Sequence, residues 1–241
     1  GNKNTAIGHS AMFTNVGAGH CNVAVGADAL YANTTGDYNV AVGMMALSHA
    51  TTAPYNIAIG YCAQRDTTTG SYNVAIGGLA MCDNTTGTQN VAIGLNAMNK
   101  NTDAGDNVAV GANSLRCNTT GTLHVAVGES ALNLTTTGTH NVVVGRRAGC
   151  AITTGACNTM IGNFSGKSVT TGGCNVSIGS ATGHSSSGVT REVIIGRDAT
   201  GKGDNTGFIG SSGGVFQGNN SSSWSTTSDR RIKKNIVDNT T

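Results

Sequence analysis

The sequence is poor in charge, in aromatic side chains and in proline. Only 11% of its 241 residues are charged and 4% are aromatic, with a single Trp and a single proline, Pro54. A compact core needs large side chains to fill its centre, so this composition argues against an ordinary globular domain. No apolar run reaches the roughly 20 residues that a membrane-spanning helix needs, and we expect no membrane insertion.

Most of the chain also has no excess of positive or negative residues. Residues 1–227 carry ten basic and ten acidic groups, so the net charge of +2 comes from the last fourteen residues. A protein that binds nucleic acid electrostatically presents a basic surface, and we therefore expect no nucleic-acid partner. The chain begins at Gly1 without an initiator Met or a signal-peptide pattern, so we expect it to be a piece of a longer protein.

What the sequence contains instead is a repeat. A five-residue block of the type N-[VI]-A-[VI]-G recurs along most of the chain. The first step, between Gly8 and Gly26, is 18 residues, the next ten steps are 17 residues each, and the last is 14. A second apolar pair such as Ala46-Leu47 and a Thr-Thr turn follow the block in most units. Such a fixed period is typical of a repeat architecture.

Seventeen residues are too few for two packed helices but suit two short strands and two tight turns. We therefore predict an all-β fold, a β-solenoid or β-roll of about twelve 17-residue coils that covers residues 1–210. Stacking at about 4.8 Å per coil would give a rod about 58 Å long. We expect the Asn and Thr residues to close turns and form ladders between coils.

The alternation of side chains within the block bears on assembly. In N-V-A-V-G the two Val side chains point to one side, and the Asn, Ala and Gly residues point to the other. The second side carries an unbroken apolar series in the first complete units: Ala24, Ala41, Ala58, Ala75, Ala92 and Ala109. Because both sides are apolar, we expect both to be buried, with the Ala side packed against neighbouring chains. This pattern favours a parallel homotrimer, with a dimer and a monomer as alternatives.

The stacked N-V-A-I-G units resemble the left-handed β-roll heads of trimeric autotransporter adhesins. The longer unit, with A-L-x-x-N-T-T-G, resembles shaft repeats of bacteriophage and other viral fibre proteins. The resemblance covers residues 4–210 and implies a left-handed, homotrimeric rod. Since one fold serves many functions, it implies the architecture more strongly than the activity.

Beyond Gly210 the period ends, and residues 211–227 form a Gly/Asn/Ser-rich segment that we predict to be a connector. The string S-D-x-R-x-K-x-N-I then resembles the start of the endosialidase-type intramolecular chaperone domain of phage tail fibres, which would span 228–241 here. The matching residues are Ser228, Asp229, Arg231, Lys233, Asn235 and Ile236. The resemblance implies that Ser228 is the nucleophile of a self-cleavage and Lys233 its partner, since a desolvated Lys can serve as a base. On composition alone, the segment is a solvated basic tail.

Other reactive residues do not form a recognisable site. The seven Cys residues form no CxxC pair, and only Cys157 and Cys174 lie one coil apart, so we expect free thiols and no zinc. The six His residues fall at scattered positions, and His124 replaces the Asn of the repeat. The acidic residues are singly placed, whereas a glycosidase needs two carboxylates facing a cleft. We therefore expect no metal, no cofactor and no substrate-directed enzyme activity.

We expect the chain to be a structural part of a trimeric viral (phage) tail or receptor-binding fibre, located on the virion surface and involved in host attachment. Its partners would be two further copies of itself, other tail or baseplate proteins, and a host surface receptor, with a glycan among the candidates. One alternative is the head of a trimeric adhesin on a bacterial cell surface. Another is a fibre precursor that cleaves itself beside Ser228.

Overall fold

The structure is a computed structural model that describes residues 3–14 and 18–210, together with the backbone of two short strands beyond them. None of these residues forms a helix, and so none could cross a membrane as one. The strands are β1 (Thr5–Ile7), β2 (Val23–Val25), β3 (Val40–Val42), β4 (Ile57–Ile59), β5 (Val74–Ile76), β6 (Val91–Ile93), β7 (Val108–Val110), β8 (Val125–Val127), β9 (Val142–Val144), β10 (Thr159–Ile161), β11 (Val176–Ile178), β12 (Val193–Ile195), β13 (Gly207–Ile209), β14 (Val215–Gln217) and β15 (Ser225–Thr226).

The strands form one sheet in chain order, and neighbours from β1 to β13 are parallel. Their register follows the sequence period, so that Ala41 lies between Ala24 and Ala58. This arrangement confirms the all-β solenoid of about twelve coils. At β13 the pairing becomes antiparallel, and β14 and β15 complete the sheet within the predicted connector.

Each coil contains one strand of three residues, and the prediction of two strands per coil is wrong. The second apolar segment is instead a series of turns, in which residues such as Met45 (φ 59) and Leu47 (φ 50) adopt the left-handed conformation. Its backbone still bonds to neighbouring coils, as in the 3.1 Å bond from the Leu47 amide to the Ala63 carbonyl. Reversing direction within 17 residues requires these turns, which replace extended backbone.

The glycine that ends each strand is required by the stacking of the coils. Gly43 has φ 132, and a Cβ atom on it would lie 2.5 Å from the Gly60 carbonyl oxygen of the next coil. Both the backbone conformation and the space therefore exclude other residues. This explains why Gly is present at the end of every block.

The middle residue of each strand from β2 to β13 points into the coil. Ala24, Ala41 and Ala58 are fully buried and pack with Leu30 and Leu47 of the second segment in one continuous core. The expectation that the Ala side packs against neighbouring chains is therefore wrong. A 17-residue coil encloses a narrow interior, and Ala fits opposite the larger Leu or Met. The Val and Ile side chains consequently lie outside.

A ladder of buried Asn side chains joins the coils. The Oδ1 atom of Asn22 accepts a 2.8 Å hydrogen bond from the Asn39 amide, and the Nδ2 atom of Asn39 donates to the Ala53 carbonyl within its own coil. A second ladder runs through Thr hydroxyls, such as Thr34 to the Thr51 carbonyl. The ladders confirm the expected roles of Asn and Thr, and they satisfy polar groups that a thin rod could not otherwise bury.

His124 takes the place of an Asn in this ladder, as expected. Its Nδ1 atom accepts a 3.2 Å hydrogen bond from the Asn141 amide, so Nε2 carries the hydrogen and donates to the Gly138 carbonyl at 2.7 Å. The neutral imidazole thus reproduces both the acceptor and the donor of an Asn amide. Burial disfavours its charged form and lowers the pKa of His124 to about 4.

Candidate functional site

The outer face of the sheet is an unusual surface. From β1 to β13 it consists of the first and third residues of each strand, which are almost all Val or Ile, and we call it the Val/Ile face. Ile59, Ile76 and Ile93 are each 37% exposed, although they sit in the middle of a long sheet. None of the residues in strands β1 to β13 is charged. A contiguous apolar face without charge marks an interaction surface.

The size of the Val/Ile face follows from the strand geometry. Three residues give a width of about 10 Å, and twelve coil steps give a length of about 58 Å, so the face covers about 600 Å². This area is at the upper limit of the largest apolar patch on typical monomeric proteins. Leaving it in water would cost the rod much of the stability that its thin core provides.

Charged side chains cluster on the opposite side of coils 3 to 6. Asp66 accepts hydrogen bonds of 2.9 Å and 2.7 Å from Arg65 and lies 2.9 Å from the His49 Nδ1 atom. Asp83 accepts a 2.7 Å bond from Lys100. The hydrogen bond from Arg65 lowers the pKa of Asp66, even though partial burial opposes the shift. The result is a ladder of ion pairs along the rod.

Three groups of this ladder lie close enough to suggest a metal site. One ligand atom from each of Asp66, Cys82 and Asp83 lies within 4.8 Å of the others. However, Arg65 and Lys100 already neutralise the two carboxylates. Burial also raises the pKa of the Cys82 thiol to about 12, and a thiol must lose its proton to bind a metal. The chemistry of the cluster therefore favours an ion-pair ladder over a metal centre.

A buried pair of polar side chains, Glu192 and His184, lies where the period changes, near the end of the Asn ladder. Glu192 occupies the Asn position, and its Oε2 atom lies 2.8 Å from the His184 Nδ1 atom, with both side chains fully buried. The amide of Gly203 donates to its Oε1 atom. Burial pushes the pKa of Glu192 upwards, but the hydrogen bonds from His184 and the backbone outweigh it and hold the pKa below its usual value. Glu192 thus links residues of the last, irregular coils by hydrogen bonds to His184 and Gly203.

The cysteines are all free thiols, as expected. Cys62 and Cys82 are buried, whereas Cys157 and Cys174 are exposed on adjacent coils. The pKa of the Cys157 thiol is raised by partial desolvation and by the neighbouring Cys174. This pair is the one place where two exposed thiols meet among the residues that the structure describes.

A surface groove of about 680 Å³ crosses the first four coils. Its walls come from Ser10, Asp28, Tyr31, Met45, Ser48, His49 and Arg65. These residues lie in the turn after the strand and in the second segment of each coil. This groove could not be predicted from the repeat pattern, because its residues are not adjacent and occupy variable positions of the repeat.

Ser228 and Lys233, which are predicted to carry self-cleavage, lie outside the described part of the chain. So do the residues that match the surrounding motif, which are Asp229, Arg231, Asn235 and Ile236. Self-cleavage beside Ser228 therefore stays a prediction.

Comparison with known proteins does not assign a function to these surfaces. No protein-family model, no curated protein and no solved structure matches the chain. The parallel β-solenoid defines the architectural class, and the surfaces above are the basis for assigning a function.

Proposed function

We propose that the chain forms the shaft of a parallel, left-handed homotrimeric rod that is a structural part of a viral (phage) tail or receptor-binding fibre. The observation that carries this proposal is the uncharged Val/Ile face, which runs from β1 to β13. Three copies around an axis along the rod would bury these faces against one another, in the closed cyclic symmetry that is usual for homo-oligomers. The resemblance of the repeat to fibre shafts and adhesin heads supports three copies.

The uniformity of the Val/Ile face has a consequence for assembly. Because successive coils are nearly identical, two chains displaced by one coil would lose few contacts. Assembly in register then needs an additional device. The chaperone-like string from Ser228 would supply one, since a trimeric domain at one end would align the chains before the rod closes.

The trimer is tested by measuring mass in solution. In sedimentation equilibrium the intact chain should have a mass of about 72 kDa, which is three times the 24.1 kDa mass of one chain. Replacing Ile76 and Ile93 together by Lys should yield monomer, because six cations would meet in an apolar interface. Leu134→Lys is the matched control, since Leu134 is also exposed (47%) but lies on the second segment. A monomeric parent chain, or dissociation by the control, would contradict the proposal.

The alternative of a bacterial adhesin head predicts the same trimer but a different location. Immunogold electron microscopy with antibodies to the shaft separates the two, because labelling of virion tails supports the fibre and labelling of bacterial surfaces supports the adhesin. Self-cleavage is tested by Ser228→Ala in the full-length protein. The smaller band on a denaturing gel should disappear in this variant, and its persistence would exclude Ser228 as the nucleophile.

A further inference from the structure

One column of side chains on the second segment changes from exposed aromatic rings, at Phe13 and Tyr31, to a buried serine, Ser48, within the groove. Phe13 and Tyr31 occupy equivalent positions in the first two coils, and their rings stack at 5.3 Å with planes 5° apart. Ser48 and Arg65 follow in the next two coils. The Ala32 amide bonds to the Ser48 carbonyl at 2.9 Å and the His49 amide to the Arg65 carbonyl at 3.0 Å, which fixes this alignment. The aromatic stack therefore stops at Ser48.

Ser48 is short and only 5% exposed, so it forms the floor of a slot in the groove between Tyr31 and Arg65. These two residues are two coils apart, a separation of about 9.6 Å. Carbon atoms in contact lie about 3.5–4.0 Å apart, so the slot accommodates one ring between the tyrosine and the arginine. The groove around it, about 680 Å³, lies within the usual range of small-ligand sites.

The polar groups around the slot indicate the chemistry of the ring. Asp28 supplies a carboxylate, and Ser10 and Ser48 supply hydroxyls that both donate and accept. The Nδ1 atom of His49 is directed to Asp66, so its Nε2 atom is left for a ligand. Two hydrogen bonds to Asp66 orient the Arg65 guanidinium. An aromatic ligand would leave most of these groups unused, whereas a sugar ring presents an apolar face to Tyr31 and hydroxyls to the rest.

We propose that this groove binds a pyranose ring of a glycan, with Tyr31 stacked against one face of the sugar and Asp28, Ser48, His49 and Arg65 bonded to its hydroxyls. The inference deepens the proposed function in host attachment and rests on it for the source of the glycan.

The groove stays open in the proposed trimer. The Nε2 atom of Gln64, in the second segment, donates to the Ile57 carbonyl of the strand, so the two segments lie on opposite sides of the coil interior. Side chains that point outward from the second segment therefore face away from the Val/Ile face. Trimer formation and sugar binding use different sides of the rod.

Saturation-transfer NMR on the intact chain tests the proposal, with the methyl glycosides of glucose, galactose, mannose and N-acetylglucosamine as probes. At least one glycoside should receive saturation from the protein. Tyr31→Ala should weaken its apparent affinity about tenfold, the factor that corresponds to the upper range of an aromatic contact. Ser48→Tyr should abolish binding, because the new ring continues the stack and fills the slot.

The controls separate binding from folding and assembly. Tyr72→Ala removes a more exposed ring (58% against 36% for Tyr31) from a different stack, Tyr38–Tyr55–Tyr72, and should leave binding unchanged. Ser48→Tyr should keep the melting temperature and the trimer mass of the parent. Absence of transfer to all four glycosides, or undiminished transfer in Ser48→Tyr, would overturn the site. Binding by the monomeric Ile76→Lys/Ile93→Lys variant would show that the site does not depend on the trimer, whereas a monomeric parent chain that still binds would leave the site standing and overturn the trimer.

Discussion

The two outer sides of the coil follow different rules. Along the Val/Ile face the same residue types recur from coil to coil, with few exceptions such as Thr159 and Gly207. At one position of the second segment, where Phe13 is exposed but Ser48 and Cys82 are buried, the sequence instead varies from coil to coil. It reads Phe13, Tyr31, Ser48, Arg65, Cys82, Asn99, Arg116, Asn133, Cys150 and Lys167. The first side has to match other copies of itself, and uniformity serves that purpose. The second side is free to vary, so local chemistry such as the groove arises there.

The largest loss of stability is expected when a glycine that ends a strand of the uniform Val/Ile face is replaced. Gly94→Ala should destabilise the rod by about 4 kcal/mol or more, a range reached only by severe steric or packing defects. Its new Cβ would lie 2.6 Å from the Gly111 carbonyl carbon, at a φ of 134. Gly78→Ala is the control, because its Cβ would meet only the flexible Leu95 side chain at 3.4 Å. Thermal unfolding followed by circular dichroism compares the two, and equal melting temperatures would refute the steric account.

The His124 rung should make the otherwise uniform ladder sensitive to pH. The folded pKa of His124 is about 4, against 6.5 for the free side chain, so the unfolded chain binds more protons between these values. Stability should therefore fall as the pH drops from about 6.5 to about 4, by up to about 3 kcal/mol for this group. His124→Asn restores the repeat residue and should remove that part of the pH dependence. Urea unfolding at pH 7 and pH 4.5 measures the free energy of unfolding of both proteins. An equal loss of stability between the two pH values would exclude His124 as the source of the pH dependence.

On the variable side, the thiols of Cys157 and Cys174 should join on exposure to a small-molecule disulfide. Adjacent coils are about 4.8 Å apart, which falls within the Cα separation of disulfides. Exchange would form the bond, release two reduced small thiols and stabilise the intervening 17-residue loop by about 2–3 kcal/mol. Mass spectrometry should show the loss of two hydrogens, and Cys174→Ser should prevent it. An unchanged mass in the parent chain would exclude the bridge.

The smallest effect is expected for the exposed aromatic stack. Tyr55 lies between Tyr38 and Tyr72 at centroid distances of 5.0 Å and 4.9 Å. Tyr55→Ala should cost about 1 kcal/mol, the usual value of such contacts, with no change in trimer mass. Tyr61→Ala is the control, because Tyr61 is also exposed but lies after strand β4, outside the stack of Tyr38, Tyr55 and Tyr72. A loss of assembly in Tyr55→Ala would show that this side also belongs to the interface.

Much of the fold could be predicted from the period. The blocks at Val23–Val25 and Val40–Val42 are strands where expected, and their parallel register is the sequence repeat itself. The inside of the coil could not be predicted in the same way. Alternation shows that Val and Ala point in opposite directions, but it does not show which of them faces the interior. The width of the coil decides this, because Leu47 already fills the space opposite Ala41.

The groove escaped prediction for a different reason. Its residues, such as Tyr31 and Ser48, become neighbours only when coils are stacked, and a serine between a tyrosine and an arginine is unremarkable in a linear reading. Aligning the coils and reading each column would have shown the break in the aromatic stack. The candidate self-cleavage residues depend on a resemblance alone.

The ladder bonds run along the rod axis, and this direction governs how the shaft responds to a pull. A coil advances the rod by about 4.8 Å but contains 17 residues, which extend to about 58 Å when stretched. Tension between the ends would open the coils one after another, and each would release about 50 Å of slack. A shaft of this kind yields by lengthening in steps, so a load at its tip would be absorbed as extension before the chain itself has to break.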